Sequence, residues 1–143
     1  MGSVVREIAI EAPADAVWAI VGDFEGGPVR MTGGAVRASS LVEPDVRALT
    51  FADGMVVHER LVARDEPGRR IAYAWVGDEV VHDNTSMQVF AEPDGTSRLV
   101  WVHDTLPDAL TGWLATTMDR LAPVLSRELG AWPGPAVRRL RPA

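Results

Sequence analysis

The sequence predicts an α+β domain, in which a curved antiparallel β-sheet of about seven strands wraps around one long C-terminal helix. Two observations carry this prediction. Residues 35–106 hold strand-like segments at intervals of about ten to fifteen residues, separated by turn signals, as is typical of an antiparallel sheet. After residue 107 the apolar residues recur with helical spacing instead.

Composition indicates a single domain over residues 1–143, because a chain of this length can bury one core. The formal net charge of −6 argues against a nucleic-acid partner, whose phosphates attract a positive surface. The chain lacks cysteine and its three histidines lack ligand spacing, so we predict no metal and no cofactor. Without a membrane-spanning apolar run or a signal peptide pattern, we expect a cytoplasmic protein.

The first third of the chain predicts one strand followed by two short helices. Residues 4–12 mix β-branched and polar residues and predict the strand. Pro13 suits a helix start, and glycines with Pro28 restrict residues 23–34 to a turn or a short broken helix. The apolar face of the first helix consists of Ala16, Val17, Ile20 and Val21.

The last third predicts one long amphipathic helix. Asp108 is a good N-cap, Gly130 suits the C-cap, and Pro123 should kink the helix between them. Residues 131–143 are rich in proline, and we expect an irregular tail there. The predicted apolar stripe consists of Leu110, Leu114, Leu121 and Leu125, with Trp113 and Val124 beside them.

Three turns, at residues 52–54, 66–68 and 93–95, each end in a glycine and predict three-residue hairpin loops. A fourth loop at residues 77–79 is treated in the same way. These loops predict the cross-strand pairs Phe51–Met55, Leu49–Val57, Arg47–Glu59, Asp65–Arg69, Ala63–Ile71, Leu61–Tyr73, Glu59–Trp75, Trp75–Val81, Tyr73–Asp83, Glu92–Thr96, Val89–Leu99, Met87–Trp101, Thr85–His103 and Asp83–Thr105.

The predicted pairs place residues of one parity on a shared inner face, because side chains alternate along a strand. Six polar residues fall on the outer face: His58, Arg60, His82, Asn84, Ser86 and Gln88. The inner face consists of Leu49, Val57, Leu61, Ile71, Tyr73, Trp75, Val81, Met87, Val89, Leu99 and Trp101.

The dipeptide His-Asp occurs twice, at residues 82–83 and 103–104. Alternation turns His82 and Asp104 outward, whereas Asp83 and His103 point inward, diagonal to each other and with Tyr73 beside Asp83. In the catalytic interpretation, Asp83 orients the imidazole of His103 for acid/base chemistry and Tyr73 donates to a substrate oxygen. The alternative is a hydrogen-bond network that only stabilises the open end of the sheet.

Further inward residues indicate a ligand-binding face. Arg47 and Glu59 form either a buried ion pair or a grip on an anionic or phenolic ligand. Three tryptophans either stack on an aromatic ligand or fill the core. The candidate ligand-binding residues are Arg47, Glu59, Trp75, Thr85, Met87, Trp101 and Trp113.

The strings REIAIEAPADAVWAIVGDFEG, VVHERLVARDEPGRRIAYAW and WVHDTLPD, the last followed by one long helix, resemble the START-like or SRPBCC superfamily. This group includes polyketide cyclase/dehydrase-like proteins and the Bet v 1 allergens. The resemblance covers residues 4–130 and implies a helix-grip fold with a hydrophobic cavity, whose mouth lies at the loop from Phe24 to Gly34. Relatives commonly carry a tryptophan where this chain has Val29, Arg30 and Met31.

Members of this superfamily bind lipids, hormones, sterols or polyketides, and some catalyse cyclisation or dehydration. The resemblance therefore implies a partner that is a small apolar or aromatic molecule, with the protein as a monomer or homodimer. One interpretation is a polyketide cyclase or dehydratase. The alternatives are a noncatalytic carrier or sensor, and a protein-interaction module with a filled cavity and an exposed apolar patch.

Overall fold

The structure is a computed structural model that describes residues 2–131. Most of the predicted irregular tail lies outside the described residues. The elements are β1 (Gly2–Ile10), α1 (Ala14–Val21), α2 (Gly27–Met31), β2 (Val36–Glu43), β3 (Val46–Phe51), β4 (Val56–Asp65), β5 (Arg70–Val76), β6 (His82–Ala91), β7 (Ser97–Leu106), a 3₁₀ turn (Asp108–Leu110) and α3 (Thr111–Ala131).

Within residues 2–131, the strands form one antiparallel sheet in the order β1-β7-β6-β5-β4-β3-β2. Strands β2 to β7 follow one another as hairpins, and β1 joins the far edge by pairing with β7. This is the predicted α+β architecture with two short helices after the first strand. The first strand covers residues 2–10 rather than 4–12.

The core lies between the concave face of the sheet and α3. Strand β1 alternates strictly, so that Val4, Ile8 and Ile10 are buried. Four residues of α3 meet them at helical spacing. These are Leu114, Met118, Leu125 and Leu129.

The predicted stripe of α3 is correct at Leu114 and Leu125, whereas Leu110 lies in the preceding 3₁₀ turn and Trp113 is 52% exposed. Asp108 is not the N-cap of α3, because the chain tightens into that turn first, with Leu110 N–H donating to the Pro107 carbonyl at 3.1 Å.

Gly130 is not a C-cap, because α3 continues to Ala131. The glycine packs against the backbone of Glu11, where an added Cβ would lie 3.6 Å from the amide nitrogen. Pro123 lies inside the helix, as predicted.

The predicted register is correct for β3–β4 and β6–β7, and for the β4–β5 pairs Leu61–Tyr73 and Glu59–Trp75. Near the β4–β5 turn the predicted register is wrong by one residue. A bulge between Leu61 and Ala63 places Ala63 opposite Ala72 and Asp65 opposite Arg70. The left-handed residue of that turn is Arg69, at φ 49°, rather than Gly68.

The β5–β6 register differs from the prediction by two residues. Tyr73 lies opposite Thr85, not Asp83, because the loop extends from residue 77 to 81 instead of 77 to 79. Val81 belongs to that loop and is 81% exposed, so its predicted place opposite Trp75 on the inner face is wrong. A shift of two preserves parity, and the two faces of β6 therefore remain as predicted.

Candidate functional site

A pocket of about 380 Å³ lies between α3 and the concave face of the sheet. Its wall includes every residue predicted to bind a ligand. In chain order these are Arg47, Glu59, Trp75, Thr85, Met87, Trp101 and Trp113. Tyr73 and His103 line it as well, whereas Asp83 is buried outside the lining.

The predicted mouth segment contributes Pro28, Met31 and Thr32, all at or just after α2. Other lining residues were not predicted. The β3–β4 turn contributes Asp53 and Met55, and α3 contributes a further set that recurs along one side of the helix. That set is Thr117, Met118 and Arg120, beside Leu121 of the predicted stripe. Thr117 and Arg120 follow Trp113 by about one and two helical turns, so this spacing could have predicted that they share its side of α3.

His103 and Asp83 form a close pair, with Nε2 of the imidazole 2.6 Å from Oδ2 of the carboxyl group. The diagonal arrangement arises because His103 lies opposite Thr85 and Asp83 lies opposite Thr105 on the same two strands. A neutral imidazole beside a carboxylate carries its proton on the facing nitrogen. Nε2–H then donates to Asp83, and Nδ1 keeps a lone pair for proton transfer.

Tyr73, Thr85 and His103 occupy one row across β5, β6 and β7, each directly opposite the next. The longer β5–β6 loop creates this row. Burial raises the pKa of Tyr73, and the negative charge of Glu59 raises it further, against an opposing effect from Arg47. The Tyr73 hydroxyl therefore stays neutral and can donate a hydrogen bond.

Arg47 and Glu59 form the second polar group, where β3 pairs with β4. Arg47 donates from Nε at 2.9 Å and from a terminal nitrogen at 2.6 Å, both to Oε1 of Glu59. Its other terminal nitrogen donates to the Phe24 carbonyl at 2.6 Å. The guanidinium also lies 4.4 Å from the ring centres of both Phe24 and Tyr73, within cation–π range.

Burial raises the pKa of Glu59, because a carboxylate loses hydration there. The charge of Arg47 and its hydrogen bonds lower the pKa, whereas the nearby Asp83 raises it. The two polar groups are thus electrostatically coupled across the pocket wall.

The tryptophans make the rest of the pocket aromatic. Trp101 is buried and Trp75 is half-buried, whereas Trp113 is exposed on α3. Nε1 of Trp101 is buried without a hydrogen-bond partner among the described residues.

Residues 2–131 contain no helix long and apolar enough to cross a membrane. Nor do they bring three or more His, Asp or Glu side chains together in a metal-binding arrangement.

Several solved structures share this fold. One is a Bacillus thuringiensis protein described as uncharacterized, with a TM-score of 0.79 and 19% identity over 90% of this chain and 98% of that one. Another is the Zhui aromatase/cyclase of a Streptomyces species, with a TM-score of 0.72 and 21% identity over 97% and 95%. The di-domain aromatase/cyclase BexL has a TM-score of 0.76 and 19% identity over 94% of this chain and 48% of that one.

No curated protein matches the chain. The profile of one family, described as "Polyketide cyclase / dehydrase and lipid transport", matches residues 1–131. This match agrees with the seven-stranded sheet and the long final helix, and it confirms the resemblance to the START-like superfamily. The chain is a helix-grip protein that belongs to the polyketide cyclase / dehydrase and lipid transport family.

Proposed function

We propose that the protein binds a small apolar or aromatic molecule in its pocket and carries out acid/base chemistry on it, as a polyketide cyclase or dehydratase does. One observation carries the proposal: His103 lines a pocket that is otherwise largely aromatic and aliphatic, and the buried Asp83 holds its imidazole from outside the lining. Two of the similar structures are described as aromatase/cyclases, which agrees with it.

In this mechanism His103 is the catalytic base and Asp83 is a positioning residue. Nδ1 of His103 takes a proton from the carbon next to a substrate carbonyl, and Asp83 stabilises the imidazolium that forms. The hydroxyl of Tyr73 donates to the enolate oxygen. In a dehydration, the enolate expels a hydroxyl group from the neighbouring carbon, so that the carbon–carbon double bond forms as the carbon–oxygen bond of that hydroxyl breaks. The imidazolium gives its proton to the departing oxygen, and water is released.

Asp83 is poorly placed to act as the base itself. It does not line the pocket, and one of its oxygens is already held by the imidazole. Its removal should therefore affect the rate through the orientation of His103 rather than through direct contact with a substrate.

The test begins with a ligand panel of aromatic polyketides, flavonoids, sterols and fatty acids, followed by turnover of any ligand that binds. Removal of a general base should lower kcat by roughly 10²- to 10⁴-fold, so we expect that loss for His103→Ala, with binding retained. His82→Ala is the matched control, because His82 is exposed on the outer face and is also followed by aspartate. Equal turnover by both variants would refute the catalytic role.

Asp83→Asn should also lower kcat, with Asp104→Asn as its control. Asp104 lies on the outer side of the same strand pair and hydrogen-bonds to Ser3. Recovery of rate at raised pH would not be expected for Asp83→Asn, because the amide favours the wrong tautomer of His103.

The family description also names lipid transport, which favours a noncatalytic carrier as the second candidate. A carrier would bind the same ligands without converting them, and substitution at His103 would change affinity in small steps. The interaction-module alternative expects a filled cavity, and the open volume of about 380 Å³ argues against it.

A further inference from the structure

Arg47 is a cation held on every side by the protein itself. It is 3% exposed, donates three hydrogen bonds to Glu59 and Phe24, and lies between the rings of Phe24 and Tyr73. To reach a ligand, its guanidinium would have to give up a charge-assisted pair or the stacked position. Arg47 is therefore a positioning residue, and it does not present a free positive charge to the pocket.

Glu59 is held by one oxygen only. Both hydrogen bonds from Arg47 end on Oε1, and no described residue donates to Oε2. The side chain is 16% exposed and lines the pocket. Oε2 is therefore an acceptor without a protein donor, fixed in orientation by the grip of Arg47 on the other oxygen.

The formal charges around Glu59 disfavour an anionic ligand. With a neutral His103, Arg47 contributes +1 while Glu59 and Asp83 contribute −1 each, and the other two charged lining residues, Arg120 and Asp53, cancel, so the total is −1. In a largely apolar pocket this balance disfavours a carboxylate or phosphate on the ligand. The raised pKa of Glu59 agrees with a carboxyl group that lacks full solvation at one oxygen.

We infer that Oε2 of Glu59 accepts a hydrogen bond from a hydroxyl group of the ligand, so that the pocket selects neutral hydroxylated aromatic molecules over their ethers and carboxylates. This inference rests on the proposed function, since it requires an aromatic ligand in the pocket. Of the two ligand classes considered for Arg47 and Glu59, anionic and phenolic, it selects the phenolic class.

Three ligands with one skeleton test the inference on the wild-type protein near neutral pH: 2-naphthol, 2-methoxynaphthalene and 2-naphthoate. Affinity is measured by calorimetry and by quenching of tryptophan fluorescence. A hydrogen bond to a charged acceptor strengthens binding by about tenfold or more. We therefore expect the affinity of 2-naphthol to exceed that of its methyl ether by at least this factor. Naphthoate should bind most weakly.

Two variants assign the preference to Glu59. Arg47→Met/Glu59→Leu removes both charges together, which buried pairs often tolerate, and should reduce the naphthol-to-ether ratio to about one. Arg60→Met removes an exposed cation outside the pocket and should keep the wild-type ratio. Circular dichroism melts check that both variants fold, and Glu59→Gln offers a second assay, because loss of its charge should raise the relative affinity of naphthoate.

The results separate a failure of the Glu59 inference from a failure of the aromatic ligand site. If the naphthalenes bind but the ether equals naphthol, or naphthoate binds most tightly, the inference is wrong while the pocket stands. If the ratio survives in the double variant, the acceptor is not Glu59, and the inference is wrong while the pocket stands. If none of the three binds, the proposed aromatic ligand site fails and the inference fails with it.

Discussion

His103 and His82 show how much a single residue's role depends on strand parity. Both are followed by aspartate, yet one lines the pocket and the other is exposed on the outer face. Alternation along β6 and β7 was sufficient to predict which members of the two dipeptides meet, and the 2.6 Å contact between Asp83 and His103 confirms that pairing. Their catalytic role stays a prediction.

Tyr73 is the only tyrosine in the sequence, so its ionisation can be followed without interference from another phenol. Its folded-state pKa is raised above the ordinary value of about 10. The neutral form is favoured on folding, and stability should fall as the pH rises above that value. We expect the absorbance at 295 nm to rise only well above pH 10, together with unfolding; a reversible rise near pH 10 in the folded protein would contradict this.

The Arg47–Glu59 pair predicts a destabilisation that depends on pH. Arg47→Met leaves a buried carboxylate without its cation, which costs roughly 3 to 5 kcal/mol. Because the pKa of Glu59 is already raised and Arg47 lowers it, the loss should be largest near neutral pH and should shrink as the pH falls and Glu59 becomes protonated.

Urea unfolding of Arg47→Met near neutral pH and at mildly acidic pH measures this effect. Arg60→Met is the control, since Arg60 forms only exposed pairs with Glu43 and Asp45 and should change stability by about 1 kcal/mol or less. A loss at Arg47 that is the same at both pH values would argue against the assigned charges.

At the scale of elements, the sequence predicted the hairpins better than their loops. The glycine at position 68 suggested the left-handed residue of the β4–β5 turn, but Arg69 adopts that conformation and its guanidinium contacts Asp15 at 2.8 Å. That contact joins the turn to α1, which the local sequence could not reveal. The turn holds residues 66–69, one more than predicted, and the bulge near Ala63 restores the predicted register at Leu61–Tyr73.

Gly54 and Gly112 test the effect of glycine on stability in a turn and in a helix. A Cβ added to Gly54 or to Gly112 would meet no atom within 4 Å, so packing does not distinguish the two sites. Gly54 has φ +92°, in the β3–β4 turn, and Gly54→Ala should cost about 1 to 2 kcal/mol. Gly112→Ala lies in α3 and should stabilise by up to about 1 kcal/mol. Thermal unfolding of both variants checks the opposite signs.

At the scale of the whole molecule, the inner face of strands β3 to β7 could be predicted but the shape of the pocket could not. Period-two alternation placed Trp75, Trp101 and Met87 on the inner face, because one residue's parity extends along a whole strand. The pocket depends on how α3 crosses the sheet. The helix packs mainly on β1, and this position leaves Trp113 and Leu121 in the pocket wall.

We expect a small aromatic molecule to bind in the pocket beside His103. The most direct test is a titration of ¹⁵N-labelled protein with 2-naphthol, followed by heteronuclear NMR. We expect saturable shift changes at the indole signals of Trp75, Trp101 and Trp113 and at the imidazole of His103, with those of His58 and His82 unchanged. Saturable changes confined to the outer face, or none at millimolar ligand, would contradict it.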